Sequence, residues 1–185
     1  MFCHGYEQRQ AASSGVLAIG DLGASKPALH FARSALQLTP QKVTIYTNGS
    51  QELEENLCST IAEGKSTNIA VDSRKIVRLE KVLQGSEVVI HFEDGTTTTE
   101  GFLGHRPKTQ LTGSYVHDLG LELTAQGDIK TTAPFLQTSV RGVFAAGDSV
   151  YPVKIVNHAM FTGAAAASGV AAQLQAEKWG HPVPF

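Results

Sequence analysis

Cysteine is scarce: Cys3 and Cys58 are the only two in a chain of 185 residues. Two thiols so widely separated make no disulfide framework, and a reducing, cytoplasmic setting is expected. Long apolar runs are missing too. The longest small-residue stretch, GAAAASGVAA, falls short of a bilayer span, and the opening residues lack the basic-then-apolar pattern of a secretory leader. Neither sign of charge dominates, with 15 basic residues against 17 acidic ones, and the lysines and arginines form no stripe. Nucleic acid and membrane are therefore not expected partners. No spacing of His, Cys, Asp or Glu suggests a metal site. What is present is apolar content (42%) high enough, and charge (17%) low enough, for a packed core. The length suits one domain or one and a half.

The period of the apolar residues sets the organisation. GVLAIG (15–20) reads as a buried strand ending in glycine. From Pro27, residues Ala28, Leu29, Phe31, Ala32, Ala35 and Leu36 make one helical face. KVTIYT (42–47) is a second strand, closed by Asn48-Gly49. Leu53, Leu57 and Ile61 mark a second helix, and NIAVDS (68–73) a third strand. This β-α-β-α-β order predicts an α/β fold with a Rossmann-like, doubly wound parallel sheet. The period then becomes two: KIVRLEKVL (75–83), EVVIHFEDG (87–95) and TTTTEGFLG (96–104) predict an antiparallel meander. After an irregular stretch, GVFAAGD (142–148) reads as an apolar strand. A small-residue helix follows, from about Ile155 to Ala176.

The segments GHRPKTQL, GLELTAQGDIKTT and QTSVRGVFAAGD, followed by an Ala/Gly-rich helix, resemble the C-terminal half of thioredoxin reductase-like flavoproteins. That family carries GHxPNT, GLELDExGxI and QTSVPGVFAAGD in the same order. The stretch CHGYE looks most like the fungal branch of gliotoxin-type dithiol oxidases. The resemblance implies FAD as cofactor and a redox-active Cys-x-x-Cys. Cys3 fits the second cysteine of that pair, with Met1 and Phe2 at the x positions and the first cysteine lying before Met1. The chain is thus expected to be truncated at its N-terminal side. Residues 1–13 are expected to be the remnant of the redox segment, 14–104 an NAD(P)-domain-like unit with meander, and 105–185 the C-terminal part of an FAD-binding domain.

The resemblance also nominates site residues. In the family the aspartate of AAGD hydrogen-bonds the flavin ribityl chain, which places Gly147 and Asp148 at the cofactor. The next helix aims its N-terminus at the flavin ring, where positive potential suits developing negative charge. Asn157, His158 and Ala159 stand there, with His158 a departure from the x-Gln-Ala of relatives. Cys3, His4 and His158 are the candidate catalytic residues, and His105 lies in a loop that relatives place near the domain junction. Taken without the resemblance, Cys3 is a terminal thiol with no partner, Asp148 ends a strand and caps a turn, and Cys58 packs the second helix.

NADPH is not expected. AIGDLGASKPALHFA offers Gly20 and Gly23 but no G-x-G-x-x-G, Asp21 brings negative charge to the turn, and YTNGSQE has no basic residue for a 2′-phosphate. The expected function is a thioredoxin reductase-like flavoprotein oxidoreductase acting on a thiol, disulfide or other small metabolite of fungal secondary metabolism, with FAD weak, shared or lost. Two alternatives stay open. One is a cofactor-free acid–base enzyme (isomerase, dehydratase or cyclase) reusing the flavin cleft. The other is a non-catalytic partner of a full-length relative. A homodimer, or a complex with a flavoprotein chain, is the expected assembly.

Overall fold

The computed structural model describes residues 8–64, 68–183 and 185. The chain divides into two compact units, Met1–Lys108 and Thr109–Phe185. In the first, β1 (Ser14–Leu17), α1 (Ser25–Ala35), β2 (Val43–Tyr46), α2 (Gln51–Glu63) and β3 (Ile69–Asp72) alternate as the periodicity predicts. α1 starts two residues before Pro27, which its first turn accepts because N–H groups there have no helical partner. α2 is better secured: the Ser50 hydroxyl accepts from the Leu53 N–H, and Glu52 and Glu54 sit where the helix dipole favours acids.

The meander follows as β4 (Ile76–Lys81), β5 (Val88–Phe92) and β6 (Thr97–Glu100), paired antiparallel in that order. The single strand expected over 96–104 is in fact two. After β6 the chain bends at Gly101, and β7 (Leu103–Gly104) joins the parallel sheet beside β1, giving the order β3-β2-β1-β7. Glycine is required at the bend, since a Cβ on Gly101 would lie 2.5 Å from the Ala11 Cβ.

Both faces of the parallel sheet are covered, which is why its strands are apolar at successive positions. Val16, Ala18, Val43 and Ile45 pack with Ala28, Leu29, Ala32, Leu53 and Leu57 on the helix side. Leu17 and Tyr46 pack with Ile90 and Phe92 on the meander side. That second interface holds a buried polar pair. The Tyr46 hydroxyl donates to Glu100 Oε1 at 2.5 Å, both residues are 1% exposed, and Glu100 Oε2 is buried without a hydrogen-bond partner. Burial, and then Glu100, push the Tyr46 phenol far above its ordinary value. At the sheet's edge Arg74 donates to both carboxylate oxygens of Asp72, bonds Thr96 Oγ1, and lies 3.8 Å over the Phe92 ring.

The second unit has little regular structure before its last helix. α3 (Tyr115–Asp118) is a single turn, and α4 (Val156–Trp179) is long. The strand expected over 142–148 does not form. Only Leu136–Thr138 pairs with it, through Thr138 N–H to Val143 O at 2.9 Å and Ala145 N–H to Leu136 O at 3.2 Å, and an isolated bridge is all that results. A strand needs sustained neighbours to persist. Leu121, Ile129 and Val150 form a small core beside it.

α4 buries one line of residues, Thr162, Ala166, Gly169, Gln173 and Ala176, spaced three or four apart. Gly169 permits this contact, because a Cβ there would meet Phe135 and Phe144 at 2.7 Å. The helix carries no charged residue from Val156 to Ala176. Met160, Phe161 and Leu174 are exposed at 69%, 68% and 61%. Among the described residues no helix is long and apolar enough to cross a membrane.

Candidate functional site

The segment at 147–149 forms a 3₁₀ turn that opens on Gly147, at φ 72°. That left-handed backbone favours glycine. The Gly147 N–H donates to Thr162 Oγ1 at 2.9 Å, and the Thr162 hydroxyl donates in turn to the His158 carbonyl at 2.8 Å. Thr162 is therefore the peg between the turn and the first turns of α4. The Asp148 peptide is held as well. Its carbonyl accepts from Lys154 Nζ, and Lys154 also pairs with Asp128 Oδ1 at 2.7 Å. The Ile129 N–H donates to the Ser149 carbonyl at 2.8 Å. The Asp148 side chain is exposed, and among the described residues its carboxylate has no hydrogen-bond or ion-pair partner. A fixed peptide thus presents a free acceptor.

α4 begins directly above this turn. Its N-cap is Ile155, which has no side-chain oxygen to offer, and its first turn holds no acid. The first N–H groups of α4 are therefore left uncapped by side chains. Ala159 lies 3.9 Å from where a Cβ on Gly147 would be. His158 is half-buried, with its ring stacked on Tyr151 at 4.2 Å between centroids and its Nε2 buried without a partner. Asn157 is exposed. The structure thus brings Gly147, Asp148, His158 and Ala159 together, and adds Thr162, Lys154, Asp128 and Tyr151, which the sequence reading missed. Thr162 had a signal: a hydroxyl four residues after His158 on a helix bonds its carbonyl. Lys154 and Asp128 had none, since their pairing is across a fold.

For a flavin, these residues fit one end of the molecule. An open carboxylate can accept hydrogen bonds from ribityl hydroxyls, and uncapped helix N–H groups can face electron-rich ring atoms. Nothing comparable among the described residues of this unit cradles a pyrophosphate.

The first unit's strand-to-helix turn is built differently. Gly20 (φ 57°), Asp21 and Leu22 form a 3₁₀ turn in which Leu22 is buried in the helix-side core. Asp21 faces Arg106 Nε at 3.5 Å. After β2, Asn48 Oδ1 accepts from the Ile76 N–H, so this loop is tied to the meander. The nearby Arg74 is clamped by Asp72. The segment Thr47–Ser50 carries no basic residue, and Asp21 sets an exposed carboxylate at the turn where a dinucleotide phosphate would approach. His105 belongs to this unit, where its Nδ1 donates to the Leu17 carbonyl at 3.2 Å.

Cys3 and His4 lie outside the described residues. Cys58 does not pack α2 as expected. It is exposed, because the helix buries Leu53 and Leu57 and Cys58 lies one position round. No group of three metal-ligating side chains occurs among the described residues.

No family model matches the chain. It is 41% identical over 178 residues to a thioredoxin reductase of Gibberella zeae, covering 95% of this chain and 52% of that protein. To thioredoxin reductase aclD of Aspergillus oryzae it is 43% identical over 175 residues, covering 94% and 54%. Among solved structures, an oxidoreductase from Agrobacterium tumefaciens superimposes with TM-score 0.69 at 26% identity, covering 94% of this chain and 54% of that one. The chain spans about half the length of the curated relatives it matches. Over that span, the chain is similar in sequence to curated fungal thioredoxin reductases and in fold to a solved oxidoreductase.

Proposed function

We propose that the chain contributes the flavin-facing half of a thioredoxin reductase-like flavoprotein, acting on a thiol, a disulfide or another small metabolite of fungal secondary metabolism. In this reading residues 14–104 form the NAD(P)-domain-like unit and 105–185 the FAD-domain part. The observation that carries it is Asp148, whose peptide is fixed while its carboxylate stands open beside the uncapped end of α4. Bound FAD would supply two-electron exchange, taking two electrons and two protons as a pair of thiols becomes a disulfide, or returning them in the reverse direction. Asp148 orients the polyol chain, Gly147 leaves room for Ala159 and the helix end, and the N–H groups of α4 lend positive potential. Cys3 is proposed as the thiol, with His4 and His158 as proton carriers.

The pyrophosphate end lacks a cradle in this unit, so the isolated chain should hold FAD weakly. Titration of the purified chain, followed by quenching of flavin fluorescence, tests this. Saturable binding that Asp148→Ala removes supports the reading, and a titration blind to Asp148 overturns it. NADPH should show no saturable binding in the same assay.

A second reading, acid–base chemistry without a cofactor, has one observation in its favour. His158 Nε2 is buried and unpartnered beside Tyr151, and histidine is the usual proton carrier near neutral pH. Turnover of a metabolite by flavin-free protein, lost in His158→Gln, would select it.

The exposed face of α4 also bears on assembly. A helix without charge over so long a stretch is ordinarily covered on more than one face. The partner proposed is a second copy of the chain. Light scattering at micromolar concentration should show a dimer, and Met160→Glu with Leu174→Glu should give a monomer. A monodisperse wild-type monomer would defeat this.

A further inference from the structure

The turn that presents Asp148 is tied at neighbouring points to the segment Thr124–Lys130. Lys154 Nζ reaches Asp128 Oδ1 at 2.7 Å and also the Asp148 carbonyl. One residue on, the Ile129 N–H donates to the Ser149 carbonyl at 2.8 Å. Asp128 is anchored in its own turn, its N–H donating to Thr124 Oγ1 and its carbonyl accepting from the Thr124 N–H. The Lys154–Asp128 pair is mostly withdrawn from water, with side chains 26% and 13% exposed. It is the least exposed ion pair of this unit, since Lys130–Glu122 and Arg141–Glu177 both lie open to solvent. Its lysine donates a hydrogen bond to a main-chain oxygen, and that oxygen belongs to Asp148, whose own carboxylate has no partner among the described residues. A binding group needs its backbone fixed by its surroundings if it is not to lose affinity in being ordered by the ligand.

We infer that Lys154 is a positioning residue. Paired with Asp128, it locks the Asp148 peptide so that the carboxylate meets a polyhydroxylated ligand, the ribityl chain of a flavin, without rearrangement. This rests on the flavin reading of Asp148, and the test separates the two. Riboflavin and FAD are each titrated into the 185-residue chain and its Lys154→Met, Lys154→Arg and Asp128→Asn variants. Hydrogen exchange is read at the Ile129 and Val150 amides, with β2 amides as the internal reference.

Lys154→Met and Asp128→Asn should each weaken both ligands by about tenfold, the scale of one charge-assisted hydrogen bond, and the double variant should do little more than either. Lys154→Arg should recover most of the loss. Exchange at Ile129 and Val150 should quicken in the weakened variants while β2 stays unchanged. Lost affinity with unaltered exchange would show Lys154 acting on the ligand directly, and overturns the inference. So does quickened exchange with undiminished affinity. If the wild-type chain takes neither ligand, the flavin reading fails by itself. Exchange then decides whether Lys154 fixes the turn, and an unaltered rate rejects it.

Discussion

The molecule contains the same local device twice. Gly20-Asp21 and Gly147-Asp148 each open a 3₁₀ turn with a left-handed glycine, and each turn leads towards a helix. In the first, Leu22 is driven into a core covered on both faces of a sheet, and Asp21 is paired with Arg106. In the second, the backbone is pegged by Thr162 and Lys154 and the carboxylate is left free. The two stretches share Ala-x-Gly-Asp and then diverge, Leu22 against Ser149, and the outcome is opposite. The difference between the two turns is whether the surroundings use up the side chain or only the peptide, and on the function proposed here the second is the one left able to bind.

The largest expected effect tests how firmly the first unit is closed. Tyr46→Phe removes the partner of a buried Glu100 whose other oxygen already lacks one. Leaving a buried carboxyl unsatisfied should cost about 3 kcal/mol, read as a lowered urea midpoint. Because both groups lie between the parallel sheet and the meander, the loss should appear in the exchange of β5 and β6 amides. A cost under about 0.5 kcal/mol, the scatter of ordinary surface substitutions, would mean that the pair is not buried in solution.

Next in size is the direct comparison of the two aspartates. Asp148→Ala should weaken FAD by roughly thirtyfold, or about 2 kcal/mol, the range of a hydrogen bond to a charged group. Asp21→Ala should leave FAD affinity unaltered. Equal effects from both substitutions would erase the distinction between open and closed turns.

Acid should separate the units too. Asp72 is partly buried, which opposes its ionisation. Hydrogen bonds from the Arg74 side chain and backbone, together with its charge, outweigh that and hold the carboxyl below its ordinary value. A depressed carboxylate contributes stability that is fully present above the unfolded value, near 4, and is lost as pH falls through the folded one. The meander edge should therefore loosen below about pH 4. Asp72→Asn should flatten that dependence and cost about 1 kcal/mol at neutral pH, a modest figure because Arg74 is 39% exposed and water screens the pair. Urea titrations at several pH values check both.

How much of this was legible varies with how local the cause is. β1, β2, α1 and α2 followed from apolar period, since each buries a face against a continuous core. β6 and β7 were fused in the reading because a period of two runs through Thr97 and Leu103, and only the crowding at Gly101 shows that the chain changes sheets. The strand over 142–148 was read from apolar content, yet strand formation depends on neighbours that no window of sequence contains. Gly147, Asp148, His158 and Ala159 came from the family pattern. Lys154, Asp128 and Thr162, which hold them, are far apart in sequence or chemically unremarkable there. Cys58 was misassigned by one helical position, which is enough to turn a side chain from the core to solvent.

The smallest effect probes the closed turn itself. Asp21 and Arg106 are both about half exposed and 3.5 Å apart, so the pair should contribute no more than about 0.5 kcal/mol. Asp21→Ala should therefore leave the urea midpoint almost unmoved. Its value lies in what it exposes. If Arg106 were all that kept a dinucleotide from the turn at Gly20, its removal would not help, because Asp21 would then face the phosphates uncompensated. Removing Asp21 with Arg106 kept is the sharper test: it takes the carboxylate away from the turn before α1, whose N-cap, Ala24, offers no side-chain oxygen. Even so, Leu22 remains buried and the loop after β2 still has no basic residue. NADPH should stay below saturable binding at micromolar concentration in this variant, as in the wild type. Micromolar binding in Asp21→Ala would show that one carboxylate, and not the buried turn, closes the site, and the contrast between the two glycine–aspartate turns would then reduce to the presence of Arg106.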